Sequence, residues 1–483
     1  MVPVNTPPAA DPRTLGPSVV IVGGGPGGYE AALVAAQLGA DVALVEDCGP
    51  GGNAVLTDVV PSKALISTAS SRLRALGVGE LGLRYTSEEG PLTPDAVEQT
   101  VRTHMGKVNA RVVGLADAQS RDVRDSLESA GVRVLTGRGR LLSNDRVHVD
   151  LASGGTMALD ADAILVSTGA HPRELDSARP DGERILTWKQ LYALEEVPPE
   201  LVVVGSGVTG AEFASAYDAL GSTVTLVSSR EHVLPGHDAD AAQVIEDVFA
   251  RRGLTVVSRC RAEAVRRAGD GVEVDLSDGR TITGSHCLMA VGAIPNTSGI
   301  GLEQAGVRTS RSGHVEVDGV SRTTARGVYA AGDCTGVMPL ASVAAMQGRI
   351  AMWHALGDAV SPLRLHTVSS TIFTHPQIAT VGQSQDDIEA AEVPTATAML
   401  PLASNPRAKM EGIHDGFVKL FCRVGSGTVI GGVVVAPIAS ELIFPVAVAV
   451  DQRLTVDQLA HTFTVYPSLS GSIAEAARRL RRH

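Results

Sequence analysis

Residues Ser18–Val22 (SVVIV) form a short apolar, β-rich run that ends in GGGPGG, where Gly23, Gly25 and Gly28 complete G-x-G-x-x-G. A helical pattern follows (YEAALVAAQLG), and the next apolar run, DVALVE, ends in Glu46, eighteen residues beyond Gly28. Glycines permit a tight turn and close backbone approach, a helix N-terminus faces a pyrophosphate, and an acid at the next strand end accepts from ribose hydroxyls. The pattern predicts a dinucleotide cradle. It recurs in ELVVVGSGVTGAEFASAYDALGSTVTLVSS, with Gly205, Gly207 and Gly210 after a buried-type strand and before a helix. Two cradles in one chain imply two nucleotide cofactors and electron transfer between them.

At the second cradle the same eighteen-residue step lands on Ser228. An acid there would favour NADH, because it bonds the 2′-hydroxyl and repels a 2′-phosphate. Ser228 and Ser229 remove that repulsion, and Arg230 supplies a positive charge to a phosphate. The sequence thus permits NADPH without forbidding NADH.

Four further phrases assign the cofactors. Gly51–Lys63 reads GGNAVLTDVVPSK, Gly327–Asp333 reads GVYAAGD, and the stretches ILVSTGAHP and AVGAIPNT surround Thr168–Gly169 and Gly292. Together they resemble the flavoprotein disulfide reductases (lipoamide dehydrogenase, glutathione reductase, mercuric reductase). The resemblance covers almost everything from Ser18 to Arg479. It implies FAD on the first cradle, with Asp333 on the ribityl chain and Gly52, Thr168, Gly169 and Ala341 close to it. NAD(P)H is implied on the second, with Gly292 where the chain leaves the nicotinamide domain. Lys63 is implied beside the flavin N5, paired with Glu212 of the nicotinamide-domain helix.

One part of the pattern is absent. The family's phrase Gly-Gly-x-Cys-x4-Cys-x-Pro-Ser-Lys places its redox cysteines at Ala54 and Val59 here, and neither side chain forms a thiolate. Its C-terminal phrase His-x-His-Pro-Thr-x-x-Glu corresponds to TVYPSLSG, with Tyr466 at the acid–base histidine and Gly471 at the glutamate that orients it. A phenol is a poor general base near neutrality. It serves instead as a hydrogen-bonding or stacking group against a planar acceptor. His461, five residues upstream of Tyr466, is read as a surface or packing residue. Ser342 and Gln347 stand where lipoamide dehydrogenases have His and Glu. Dithiol and base have gone together, while both cradles and the Lys63–Glu212 pair remain. That combination points to a changed electron acceptor.

Composition sets the frame for this chemistry. The chain has 483 residues, 44% of them hydrophobic and 19% charged, as expected for a globular protein of two to four domains. A net charge of −12 argues against nucleic acid, since the one dense basic run is Arg478, Arg479, Arg481 and Arg482. The five cysteines (Cys48, Cys260, Cys287, Cys334 and Cys422) show neither metal-ligand nor disulfide-framework spacing, so no metal is expected. Reduced thiols, no signal-type leader and no long apolar run point to a cytoplasmic protein without a transmembrane segment.

The expected architecture is α/β, with two Rossmann-like dinucleotide-binding domains plus a C-terminal α+β dimerisation domain. Residues 1–17 read as a disordered lead, 18–178 as the first part of the FAD domain, and 179–297 as the NAD(P)H domain. Residues 298–361 read as the return to the FAD domain and 362–483 as the interface domain of a homodimer. Within the first part, residues 90–132 read as one or two inserted helices. After Pro362, TIFTHPQIATVG, NPRAKMEG and GFVKLFCRVGSGTVIGGVVVAPIASELI all read as strands.

The expected function is NAD(P)H:quinone oxidoreduction. Lys63, Glu212 and Tyr466 stand at the reaction centre, and a flat acceptor lies beside Ala54, Val59 and Tyr466. This resembles the dithiol-lacking actinobacterial quinone reductases that carry a lipoamide dehydrogenase name. The alternatives are a soluble pyridine nucleotide transhydrogenase and a non-catalytic FAD-binding partner subunit.

Overall fold

The computed structural model describes residues 16–481 apart from Glu89 and Val393. Most of the expected lead and Arg482 of the basic run lie outside the described residues. Packing divides the chain into two compact units, each assembled from three stretches. One runs through Val60 and adds Gly114–His171 and Ala293–Leu363; the other comprises Pro61–Val113, Pro172–Gly292 and Arg364–His483.

The first unit is built on a seven-stranded sheet. Its order is Val328–Ala330, Ala163–Val166, Ser18–Val22, Asp41–Glu46, Arg133–Ser143, Arg146–Leu151 and Thr156–Asp160. The first four pairings are parallel and the last two antiparallel. Continuous apolar strands suit a parallel sheet buried on both faces. Val19, Ile21, Leu44 and Leu165 accordingly pack with Ala31, Ala35 and Met352, while Val20, Val22, Ile164 and Val166 pack with Val147 and Leu302. The strand Ser18–Val22, third in that order, has Asp41–Glu46 on one side and Ala163–Val166 on the other. That is a topological switch point, where crevices form at the strands' carboxyl ends.

The second unit holds a five-stranded parallel sheet in the order Ile185–Leu186, His286–Met289, Glu200–Val204, Thr223–Val227 and Thr255–Val257. Its helix Val208–Leu220 is buried along most of its length, Phe213 and Tyr217 included. A five-stranded antiparallel sheet occupies the C-terminal part: Ser369–Ile372, Gln377–Gly382, Val429–Ala436, Phe417–Arg423 and Thr395–Pro401. The helix Gly471–Leu480 covers one face of it through Ile473, Ala476, Ala477 and Leu480.

The inserted region folds as two helices, Pro94–Thr100 and Met105–Ser129. NPRAKMEG departs from its expected strand and forms the helix Pro406–Met410. The Asn405 side chain accepts from the Arg407 and Ala408 N–H groups, and Pro406 stands in the first turn. An Asn cap followed by proline favours a helix start over a strand. The end of the longer phrase departs likewise, with a helix at Ala439–Leu442, and the helix Phe444–Asp451 follows it.

Candidate active site: two nucleotide cradles and an ion pair

In the first unit the turn after Ser18–Val22 has Gly23 at φ 102°, a conformation that favours glycine. A Cβ on Gly28 would overlap the Gly23 carbonyl oxygen, so helix and strand meet through hydrogen atoms alone. A Cβ on Gly25 would meet nothing within 4 Å, which leaves open space at the N-terminus of the helix Pro26–Gln37. That is the space a pyrophosphate fills.

Glu46 is 8% exposed, with Oε2 accepting from the Gly24 N–H at 2.5 Å and Oε1 from the Cys48 N–H at 2.9 Å. Burial raises its pKa above the usual carboxylate range, against the lowering effect of those two N–H groups. Each oxygen keeps a further lone pair for a ribose hydroxyl.

Asp333 begins a short 3-10 turn after Gly332, and burial raises its pKa while His314 opposes the rise. The turn is held from behind. The Gly332 N–H donates to Gln347 Oε1 at 2.9 Å, and Gln347 is 2% exposed. Ala341 opens the helix Ala341–Ala355 that carries Gln347. Thr168 Oγ1 donates to the Asn296 carbonyl at 2.7 Å, and Asn296 returns bonds from Nδ2 to the Thr168 carbonyl and from its N–H to the Gly169 carbonyl, at 2.8 and 2.9 Å.

The vacated cysteine positions keep their frame without a covalent bridge. Gly52–Leu56 is a short helix that contains Ala54, and Val59 opens the next helix, which continues to Gly77. A Cβ on Gly52 would crowd the Gly25 backbone. Asn53 ties the frame: its carbonyl accepts from the Thr57 and Asp58 N–H groups, and its Nδ2 donates to the Ala170 carbonyl at 2.6 Å. Ala54 is half-buried and Val59 is 37% exposed.

The second unit repeats the cradle. Gly205 has φ 111°, a Cβ on Gly210 would overlap the Gly205 carbonyl oxygen, and a Cβ on Gly207 would meet nothing within 4 Å. Gly292, at φ 95°, accepts from the Arg173 N–H at 2.9 Å. Ser228 is fully buried, and its Oγ lies 2.7 Å from Ser206 Oγ and accepts from the Arg230 N–H at 3.1 Å. Its hydroxyl therefore faces inward, and the groups presented to a ligand there are the exposed Ser229 and Arg230.

Lys63 and Glu212 meet in this unit. Lys63 Nζ donates to Glu212 Oε2 at 2.9 Å, and the two side chains are 28% and 4% exposed. The second oxygen, Oε1, accepts from the Phe373 N–H at 2.8 Å, and Lys63 Nζ stands 5.0 Å from the centre of the Phe373 ring. One turn further along the same helix, Ser215 Oγ accepts from the His375 N–H at 3.1 Å. Tyr466 is 83% exposed in the loop after the helix Val456–His461, beside the exposed Phe463 and Val465. His461 is exposed at that helix end, with Nδ1 at 2.7 Å from the Asp457 carbonyl.

Sequence reasoning missed Ser206, Gln347 as a clamp, and Phe373. The only available signals were a hydroxyl between two motif glycines, an amide where an acid is usual, and an aromatic residue at a strand end.

Two strand–glycine-turn–helix cradles, each with open space at its helix N-terminus, define a protein of the two-dinucleotide oxidoreductase class. The chain belongs to the pyridine nucleotide-disulphide oxidoreductases: that family's model matches residues 17–348, and the model of its dimerisation domain matches residues 368–477. It is an oxidoreductase of a family whose members use FAD and NAD(P)H. A Mycobacterium tuberculosis protein named NAD(P)H dehydrogenase (quinone) is 54% identical over 474 residues, covering 96% of this chain and 94% of its own. A dihydrolipoyl dehydrogenase of Chlorobaculum tepidum is 32% identical over 463 residues, covering 95% of this chain and 96% of its own. The crystal structure of LpdA from Mycobacterium tuberculosis superposes with a TM-score of 0.90 at 53% identity, covering 97% of this chain and all of the other. Among the described residues no helix is long and apolar enough to cross a membrane.

Proposed function

We propose that this protein is an FAD-dependent NAD(P)H:quinone oxidoreductase that passes electrons to a small planar acceptor without a dithiol relay. The observation that carries the reading is the pairing of a preserved Lys63–Glu212 ion pair with alkyl side chains at Ala54 and Val59. A relative named for quinone reduction supports it.

FAD is held by Gly23, Gly25, Gly28, Glu46, Gly52, Thr168, Gly169, Asp333 and Ala341, and the nicotinamide nucleotide by Gly205, Gly207, Gly210, Ser229, Arg230 and Gly292, with Ser228 shaping the turn from inside. Bound FAD would supply the two-electron carrier between nucleotide and acceptor. Lys63 offers a fixed positive charge where negative charge develops during reduction, and Glu212 keeps that cation oriented. Ala54 and Val59 offer an apolar wall with no competing nucleophile. Tyr466 supplies a phenol that stacks on or hydrogen-bonds to the acceptor. The exposed apolar side chains of Phe463, Val465 and Tyr466 lie in the segment that matches the dimerisation domain, in accord with a homodimer. Domain limits at 178, 297 and 361 and a cytoplasmic location belong to the same reading.

Absorbance spectroscopy tests it. NADPH should bleach the flavin, and menadione should restore its colour with steady turnover, while lipoamide supports none. Lipoamide turnover at ordinary dehydrogenase rates would overturn the reading. Faster reduction of thio-NAD than of any quinone would replace it with transhydrogenation, and absence of bleaching with a non-catalytic role.

A further inference from the structure

The geometry points to Phe373 as a positioning residue for the Lys63 ammonium, acting through its ring as well as its main chain. The inference rests on the reading that Lys63 serves the reduced cofactor. Phe373 holds both members of the ion pair. Its N–H occupies Glu212 Oε1 at 2.8 Å, which leaves Oε2 for Lys63 Nζ at 2.9 Å. Its ring then receives the same ammonium at 5.0 Å from the ring centre, inside the ~6 Å reach of a cation–π contact.

Lys63 thus has a carboxylate on one side and an aromatic face on another, and its side chain is 28% exposed. A lysine stem has four rotatable bonds and roughly 2 kcal/mol of rotamer entropy, so one ion pair leaves the head mobile. Two contacts of different kinds define its position. The Phe373 backbone is itself fixed, because the His375 N–H donates to Ser215 Oγ at 3.1 Å, one helical turn from Glu212. The main-chain bond survives any side chain at 373, so a substitution there isolates the ring.

A packing role alone would accept leucine, since Phe373 also packs against the buried cluster around Phe213 and Ile372. The variants Phe373→Leu and Phe373→Tyr therefore separate the two roles. The first readout needs no nucleotide and no quinone. The chain has five lysines (Lys63, Lys107, Lys189, Lys409 and Lys419), so reductive 13C-dimethylation gives few NMR signals, and the Lys63 signal is identified by its loss in Lys63→Arg. In the wild type that signal should be ring-current shifted upfield. Phe373→Leu should lose the shift and Phe373→Tyr should keep it. The second readout is the single-turnover rate of flavin reduction by NADPH, measured without acceptor. It should fall about 5- to 10-fold in Phe373→Leu and recover in Phe373→Tyr, a barrier change of ~1–1.4 kcal/mol that lies within the range of a cation–π contact. An unshifted Lys63 signal in the wild type, or Leu and Tyr variants that behave alike in both readouts, would overturn the inference. Failure of quinone turnover alone would touch only the functional reading.

Discussion

The hydroxyls of Ser206 and Ser228 meet at 2.7 Å inside the second cradle, the first from between two motif glycines and the second from the end of the adjacent strand. This bond holds the Ser228 hydroxyl inside the protein. On the functional reading proposed above, discrimination between the two nucleotides would fall to the exposed Arg230, the charged member of the Ser229–Arg230 pair. In Arg230→Ala, kcat/KM for NADPH should drop about tenfold, the size of one charge-assisted contact, with NADH nearly unchanged. Ser228→Ala should leave the NADPH/NADH ratio within a factor of about two, by the same scale. Steady-state kinetics with both nucleotides checks the pair, and an unchanged ratio in Arg230→Ala would remove its role.

The Gly332–Asp333 turn gives a second expectation. Gln347 is buried and accepts the Gly332 N–H at 2.9 Å, so Gln347→Leu leaves that donor unpaired. A buried donor without a partner costs about 1–3 kcal/mol. Part of that cost should appear as loosened FAD, with a dissociation constant raised about 5- to 30-fold. Fluorescence titration of apoprotein with FAD measures it, and the far-UV spectrum should stay that of the wild type.

These two cases also mark what was legible in the sequence. Both glycine cradles, the first helix and the strand ending at Glu46 could be read from residue order, because each depends on neighbours within one βαβ unit. The inward turn of Ser228 could not, since it depends on Ser206 at a motif position that tolerates many residues. Phe373 was opaque for a different reason. Its partners Lys63 and Glu212 come from distant stretches, and a backbone N–H carries no residue signature. The helix Pro406–Met410 was read as a strand because five residues span too few turns for helical periodicity to show.

His375 gives the chain a pH-sensitive element. Burial pushes its pKa down to about 4, and the nearby Arg252 and Arg74 add to the effect. Its side chain stays neutral in the folded protein while the unfolded chain takes up a proton near pH 6.5. The unfolded state then binds more protons between those two values, so the His375 contribution is full above pH 6.5 and is lost progressively down to about 4. The loss is on the order of 2–3 kcal/mol. Thermal melts from pH 7 to 4.5 should show a smaller fall in Tm for His375→Gln than for the wild type, and parallel curves would contradict the assignment.

Restoring the cysteines tests whether the vacated site is a broken relay or a different one. Ala54→Cys with Val59→Cys returns both thiols to a frame that Asn53 still holds through Ala170, Thr57 and Asp58. The thiolate chemistry also needs an acid–base partner, and Tyr466 and Gly471 do not supply one. Loss of such a partner costs about 10²–10⁴ in rate. The double variant should therefore reduce lipoamide at least about a hundredfold more slowly than a dihydrolipoyl dehydrogenase assayed alongside it, by that same factor. Quinone turnover should fall, because the alkyl wall would be replaced by thiols that compete for electrons and crowd the acceptor. Adding Tyr466→His and Gly471→Glu should raise lipoamide turnover above that of the double variant. A double variant with full lipoamide activity would place the base elsewhere in the chain and end the argument that dithiol and base were lost as one unit.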